Sequence, residues 1–253
     1  MDSTNDEAKR LVAEGERGPL WIVAGRQTRG RGRLGRQWVS TTGNLHASLV
    51  LSGDFTPSLA PQLGFVAGVA LIDAVRRASG LGARLALKWP NDLLLDGGKL
   101  AGVLLEGVPI ATGDPRSPAH SVVIVGIGVN CASAPRGLPY AARALGDVLS
   151  DAPTAARIFE SLAEAFIPAL DLWDGGAGFA AIREKWLGAA AGLGQPIRVA
   201  LSADEELRGA FETIDPSGRL VVRTAQGARV VDAGDVFLAP SEPNVLEQSG
   251  LRS

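Results

Sequence analysis

The sequence predicts an α+β fold, and three patterns carry that reading. Two apolar runs, residues 93–95 and 100–105, are joined by Asp96-Gly97-Gly98, the pattern of an antiparallel hairpin, because glycine accepts positive φ without steric cost. Residues 58–79 and 153–173 carry apolar residues at helical spacing over lengths that no ordinary strand reaches. After Gly192 the rhythm changes to short strands at 197–201, 207–214, 220–223 and 229–231, separated by Asp215-Pro216-Ser217-Gly218 and Gln226-Gly227, which suggests a small barrel. The expected organisation is a larger domain over residues 1–190, a mixed or antiparallel sheet covered by helices. A small β-barrel follows over 191–240, and a patternless tail over 241–253.

Thr4-x-x-Glu7 has the form of a capping box, and Ala8, Leu11 and Val12 follow at helical spacing until Gly15, so a short first helix opens at Ser3-Thr4-Asn5. Residues 20–24 are a brief apolar run suited to a buried strand. From Gly25 to Gln37 almost nothing is apolar, and that segment reads as a loop. Residues 45–51 read as a strand, and 58–79 place Leu59, Leu63, Val66, Ala70, Leu71, Ala74 and Val75 on one helical face, the main core helix. Residues 107–120, with Pro109, Gly113, Pro115 and Pro118, read as a surface loop, and 121–129, apolar on both faces, as a central strand. Helices are expected over 153–173, kinked or broken at Pro168, and over 178–190.

With 253 residues, 46% hydrophobic and 21% charged, the chain can bury one good core and a second small one. A single cysteine, Cys131, leaves no intramolecular disulfide and fits a reducing compartment, so cytoplasm is the default expectation. The acidic N-terminus lacks the charge and apolar run of an export signal, and 63–75 is broken by Gly64, Gly68 and Asp73, short of a membrane span. The formal charge is −2 and the pI about 5.8. Against that background Gly30-Arg31-Gly32-Arg33-Leu34-Gly35-Arg36 concentrates positive charge locally, whereas a polyanion binder spreads it over a face and raises the pI. Its target reads as a small, highly charged group: glycines let main-chain N–H groups approach an anion, and arginine forks give bidentate contacts to phosphate or carboxylate. A solvated basic turn or a nucleic-acid contact is the plainer alternative. The loop's length and want of apolar anchors suit a lid that orders over ligand. Trp38 at its end reads as an apolar anchor, or as a stacking plate beside an aromatic ligand.

Four further segments stand out: Ser3-Thr4-Asn5, Lys88-Trp89-Pro90-Asn91-Asp92, Lys99-Leu100-Ala101-Gly102 and Gly126-Ile127-Gly128-Val129-Asn130. Ser3 and Thr4 serve as helix caps on their own account. The second segment sets a cation, an amide and a carboxylate at a strand end, where a proline turn fixes their directions. Ala101 and Gly102 leave their strand without bulk, for a ligand or for tight packing. Asn130 ends a buried strand with an amide able to face a base. Asp92 either caps a turn or helps to place Mg²⁺. Cys131 reads as a small core residue, and His46 and His120 with one cysteine do not make a zinc site.

In this order and approximate spacing, the arginine loop and these four segments resemble the biotin protein ligases, from Asp2 to about Leu238. The resemblance implies a class II synthetase-like catalytic domain with an SH3-like C-terminal barrel. It implies ATP and biotin as substrates with Mg²⁺, a biotinyl-5′-AMP intermediate, and transfer of biotin to a lysine of a biotin carboxyl carrier protein domain. Carried over position by position, it puts Ser3, Thr4, Asn5, Gln27, Arg31, Gly32, Arg33 and Lys99 around biotin. Arg31, Arg36, Trp38, Lys88, Asn91 and Asn130 fall on the ATP side, and Asp92 is the candidate metal ligand. Lys99, against the reacting carboxylate and phosphate, and Arg33, ordering the loop over the adenylate, are the expected catalytic pair. The motif series begins at residue 2, so the helix-turn-helix domain of some members, and with it DNA binding, is not expected; the strand that usually precedes Ser-Thr-Asn also has no counterpart, and a homodimer is left open. A lipoate or octanoate transferase shares the catalytic fold but lacks this arginine loop with Lys-Trp-Pro-Asn-Asp. A non-catalytic nucleic-acid module fits poorly with an acidic pI and one confined basic loop.

Overall fold

The computed structural model describes residues 1–53, 56–109, 121–202 and 204–238. Its first six strands are β1 (Leu20–Ala24), β2 (Leu45–Gly53), β3 (Leu85–Lys88), β4 (Asp92–Leu95), β5 (Gly98–Pro109) and β6 (Ser121–Val129). They form one antiparallel sheet in the order β1-β2-β6-β5-β4-β3. The β4–β5 turn is the expected hairpin: Asp96 and Gly97 take φ of 48° and 77°, the pair of positive values a two-residue primed turn requires.

Helices cover both faces of this sheet. On one face lie α2 (Gln62–Ser79), α3 (Ala155–Trp173) and α4 (Phe179–Leu187), whose apolar residues join those of the strands in one core. On the other lies α1 (Thr4–Ala13), with Ala8 and Val12 against Ile22, Val50, Val122 and Ile124. Covered on both sides, β6 needs apolar residues at nearly every position, which is why it lacks a polar alternation.

Several boundaries differ from the sequence reading. The cap of α1 is Ser3, whose hydroxyl accepts from the Asp6 N–H, and Glu7 pairs with Arg10 instead of returning to the cap. Thr4 is thereby released for contacts across the sheet. Helix α2 starts at Gln62 because Pro57–Leu59 form a separate 3₁₀ turn ahead of Pro61. Strand β3, only four residues long, carries too little pattern to be read. Strand β5 runs on through Pro109 into the expected loop because it pairs with β6 as far as Ser121. Residues 110–120, with His120, and the tail at 241–253 lie outside the described residues. Helix α3 continues through Pro168: its inner face is held in the core by Ile158, Leu162, Phe166 and Trp173, while Pro168 sits on the solvent side.

The remaining strands are β7 (Pro196–Ala200), β8 (Glu206–Ile214), β9 (Leu220–Thr224), β10 (Gly227–Val231) and β11 (Asp235–Leu238). They form a second antiparallel sheet in the order β10-β9-β8-β7-β11, with no pairing among the described residues that joins β10 to β11 and closes a barrel. Its inward residues, Val199, Phe211, Ile214 and Val222, merge with the main core. Trp89 Nε1 donates to the Gly218 carbonyl at 3.2 Å, and a Cβ at Gly218 would lie 2.8 Å from the Phe65 ring, so the two sheets meet closely beside the 88–92 turn. No helix among the described residues is long and apolar enough to cross a membrane.

Candidate active site

The site is built on a floor of glycines. Gly102 on β5 and Gly128 on β6 are direct cross-strand partners, and the indole of Trp38 lies across them. A Cβ at Gly128 would stand 2.4 Å from Trp38 Cε2, and one at Gly102 would stand 3.4 Å from Trp38 Cζ3. Two residues back on the same face of β6, a Cβ at Gly126 would stand 2.4 Å from Asn5 Oδ1. Lys-Leu-Ala-Gly and Gly-Ile-Gly-Val-Asn thus supply adjacent halves of one bare surface.

The arginine loop is folded onto this surface. Arg31 and Gln37 form a bridge, the Gly32 N–H donates to the Arg36 carbonyl at 2.7 Å, and the Trp38 N–H donates to the Gly30 carbonyl at 2.9 Å. Gly30 is required there, since a Cβ would lie 2.6 Å from the Trp38 carbonyl oxygen; Gly32 has more room, its nearest neighbour being 3.5 Å away. The three arginines diverge. Arg31 grips Asp6 on α1 at 2.5 and 3.0 Å and reaches Glu106 on β5 at 3.5 Å. Arg33 turns inward and donates to Asn91 Oδ1 at 3.3 Å; burial pulls its pKa below the ordinary guanidinium value, against the opposing fields of Asp235 and Asp92. Arg36 is ion-paired with Asp235 of β11.

Beyond the loop tip, Asp92 is 8% exposed and receives Lys99 Nζ at 2.6 Å and Lys88 Nζ at 3.3 Å. A carboxylate so far from water needs such partners. Lys88 also reaches the Val236 carbonyl at 3.4 Å, and Asn91 Nδ2 donates to the Val103 carbonyl at 2.6 Å, so the 88–92 turn is tied to both sheets. Three cations, Arg33, Lys88 and Lys99, are gathered around one acid. Among the described residues no group of three or more His, Cys, Asp or Glu could hold a metal ion. With its carboxylate shared between two ammonium groups, Asp92 fits lysine placement better than the metal ligation expected of it.

Ser3, Thr4 and Asn5 are all buried at the start of α1. The Thr4 N–H donates to Gln27 Oε1 at 2.8 Å, and Gln27 Nε2 donates to Ser40 Oγ at 3.3 Å. Ser48 Oγ on β2 lies 2.7 Å from Thr4 Oγ1 and 2.5 Å from Asn5 Oδ1, and Asn5 Nδ2 donates to Glu106 Oε2 at 2.7 Å. The expected set Ser3, Thr4, Asn5 and Gln27 does come together, with Arg31 at its rim.

On the other side of Lys99 is a cleft lined by Trp38, Asn130, Pro135, Leu138, Tyr140 and Ala142, with about 310 Å³ of empty space continuous with solvent. Lys99 Nζ stands 5.8 Å from the Trp38 ring and 5.7 Å from the Tyr140 ring, within cation–π range. Asn130 lines this cleft, but its Nδ2 is directed to the Lys99 and Arg143 carbonyls at 3.5 and 3.2 Å, so that end of its amide braces the 141–143 segment against β5. Cys131 is buried, its thiol pushed up to about 11, in keeping with a core residue.

Four residues of this constellation were not singled out from sequence. Ser48 and Glu106 sit in runs that read as ordinary strand, although Glu106 is the one acid in Gly98–Pro109. Tyr140 is the chain's only tyrosine and Asp235 precedes an apolar triplet; neither has a local pattern that points to a site.

Residues 1–130 match the family described as Biotin/lipoate A/B protein ligase family, and residues 192–239 match the Biotin protein ligase C terminal domain. Fold and site together therefore define a protein ligase of the biotin/lipoate class. The chain is 44% identical over 240 residues to a biotin–[acetyl-CoA-carboxylase] ligase of Paracoccus denitrificans, covering 93% of this chain and 97% of that one. It is 31% identical over 241 residues to the like-named ligase of Mycobacterium tuberculosis, covering 92% and 85%. The biotin protein ligase of Aquifex aeolicus, solved in complex with biotin and ATP, superposes with a TM-score of 0.76 at 25% identity, over 94% of this chain and 95% of that one. The chain belongs to the biotin protein ligase family.

Proposed function

We propose that this ligase activates biotin with Mg-ATP to biotinyl-5′-AMP and then passes the biotinyl group to a lysine of a carboxyl carrier protein domain. The gathering of Arg33, Lys88 and Lys99 around Asp92, between a buried hydroxyl–amide cluster and an open aromatic cleft, carries the reading. A carboxylate does not acylate an amine in water without a leaving group, and adenylation supplies one. The biotin carboxylate attacks the α-phosphorus of ATP and pyrophosphate departs.

Both reactants are anions, so the step needs fixed positive charge. Asp92 holds Lys88 and Lys99 in place beforehand, and incoming phosphate and carboxylate oxygens take over their free donor positions. Arg33 offsets charge from the loop side. Ser3, Thr4, Asn5 and Gln27 suit the ureido ring, with its carbonyl acceptor and two N–H donors, and Arg31 and Gly32 complete the rim on that side. Trp38 and Asn130 border the cleft proposed for adenine, and Asn91 and Arg36 are assigned to the same nucleotide side. Mg²⁺ enters bound to ATP as part of the substrate. The loop folded over the floor would keep water from the mixed anhydride. In the second half the neutral ε-amine of the carrier lysine attacks the acyl carbon and AMP leaves. A cytoplasmic setting, which supplies ATP, is part of the proposal.

Purified protein mixed with biotin and Mg-ATP should retain biotinyl-5′-AMP by mass spectrometry and catalyse biotin-dependent ATP–pyrophosphate exchange. Exchange supported by lipoate and not by biotin, or no exchange at all, would overturn the proposal.

A further inference from the structure

The hydroxyl and amide groups at the start of α1 form a chain that ends on one carboxylate. Glu106 has a side chain 22% exposed, and its Oε2 receives Asn5 Nδ2 at 2.7 Å and Arg31 Nη2 at 3.5 Å, while Oε1 receives Lys9 Nζ at 2.6 Å. An ionised carboxylate only accepts, so the end of the Asn5 amide turned towards it must be the NH₂, and the Asn5 carbonyl oxygen must face Ser48. That oxygen also only accepts. Ser48 has one proton, and the 2.5 Å contact to Asn5 Oδ1 claims it. The same hydroxyl is turned to Thr4 Oγ1 at 2.7 Å, so Thr4 accepts on that side. The Thr4 hydroxyl gives its own proton to Gln27 Oε1 at 3.2 Å, beside the Thr4 N–H at 2.8 Å. Thr4 has no proton left to give and can meet a ligand only as an acceptor.

We propose that Glu106 is a positioning residue for ligand selection: it orients the Asn5 amide, fixes Ser48 as a donor towards Asn5 and Thr4, and so keeps Thr4 an acceptor for a ligand N–H. This rests on the biotin reading of the pocket, because a ureido ring has N–H donors and the dithiolane ring of lipoate has none. A site that must receive a donor discriminates strongly against a ligand lacking it.

The test is ATP–pyrophosphate exchange with biotin and ATP varied separately, melting temperature being recorded for each variant. Glu106→Gln keeps shape but offers either a donor or an acceptor to Asn5. It should raise the biotin KM about tenfold, about 1.4 kcal/mol, and leave the ATP KM within about twofold. Asn5→Asp sets two carboxylates face to face and should be worse. The double variant N5D/E106Q restores a donor–acceptor pair with the carboxylate on the other partner and an acceptor still facing Ser48, so it should recover most of the N5D loss. Lys9→Ala, which removes an ion partner of Glu106 without altering proton direction, should shift the biotin KM by no more than about twofold. An unchanged biotin KM in E106Q, equal rises in both KM values, or no recovery in the double variant would overturn the role of Glu106 alone. Absence of biotin-dependent exchange in the parent protein would instead overturn the functional reading beneath it.

Discussion

Replacing Gly126 or Gly128 by alanine adds one methyl group to the same face of β6 and strikes two different neighbours. Neither glycine has a positive φ, so alanine is acceptable to the backbone, and any loss comes from the space above the strand. The new Cβ at 126 would lie 2.4 Å from Asn5 Oδ1 and 3.0 Å from its Cγ and Nδ2; at 128 it would lie 2.4–2.6 Å from three atoms of the Trp38 indole. Ordinary contact begins at 3.4 Å, so Asn5 or Trp38 must retreat by about 1 Å. Overpacking of this kind costs roughly 1–3 kcal/mol, and about 1.4 kcal/mol is a tenfold change in affinity. Gly126→Ala should therefore raise the biotin KM roughly 10- to 100-fold and change the ATP KM little. Gly128→Ala should do the reverse. Gly102→Ala, whose Cβ would meet Lys99 and Trp38 at 3.3–3.4 Å, supplies a milder third point. The assay is ATP–pyrophosphate exchange with each substrate varied at saturating concentrations of the other, on variants whose near-UV circular dichroism matches the parent. Equal effects on both KM values in a folded variant, or none, would refute the division of the floor into a biotin half and a nucleotide half.

Lys99→Ala should fold, because Asp92 keeps Lys88 at 3.3 Å, yet lose adenylate formation by about 10²–10³-fold. Arg33→Ala should form the adenylate but release it faster, as timed by gel filtration; unchanged exchange and retention in both would remove their assigned roles. Burial pushes Glu106 up, while Lys9, Asn5 and Arg31 more than offset it and leave its pKa below the ordinary 4.5. A carboxylate depressed on folding contributes stability above its unfolded pKa and loses it as pH falls through the folded value. The parent's melting temperature should thus drop more steeply than that of E106Q on acidification below about pH 4.5, and parallel curves would contradict the pairing. With its thiol pushed up to about 11, Cys131 should react with iodoacetamide at pH 8 about a hundredfold more slowly in the native protein than in the unfolded chain, as read by mass shift.

Local chemistry was legible wherever one stretch of chain carried it. The Asp96-Gly97 turn, β1 and β6 follow from turn residues and apolar runs, and β1 and β6 appear with the expected bounds. The cap of α1 was displaced by one residue because Ser3 and Thr4 are equally good caps by type, and only the pull of Gln27 and Ser48 on Thr4 decides between them. Family resemblance marked Ser3–Asn5, Gln27, Arg33, Lys88 and Lys99 as neighbours, and the fold does bring them to one surface. What local pattern left unmarked is what acts across strands. Glu106 and Ser48 matter only because β2, β6 and β5 are adjacent in the sheet, and register is not written in either strand alone. Asp235 matters only because β11 returns to the arginine loop. Asn130 was expected to offer its amide to a base, but its NH₂ is directed to the Lys99 and Arg143 carbonyls, the first of which also accepts the Arg143 N–H.

Three residues of the larger domain meet the second sheet and its turns beside the pocket: Arg36 with Asp235, Lys88 with the Val236 carbonyl, and Trp89 with the Gly218 carbonyl. The modules are therefore not freely interchangeable parts. A chimera that grafts the terminal module of a relative onto this body must carry a matching acid opposite Arg36 and compatible backbone opposite Lys88 and Trp89. Otherwise it would inherit a nucleotide side whose cations have lost their outer anchorage. A substitution at Asp235 would accordingly be felt at Arg36, though 199 positions separate them along the chain.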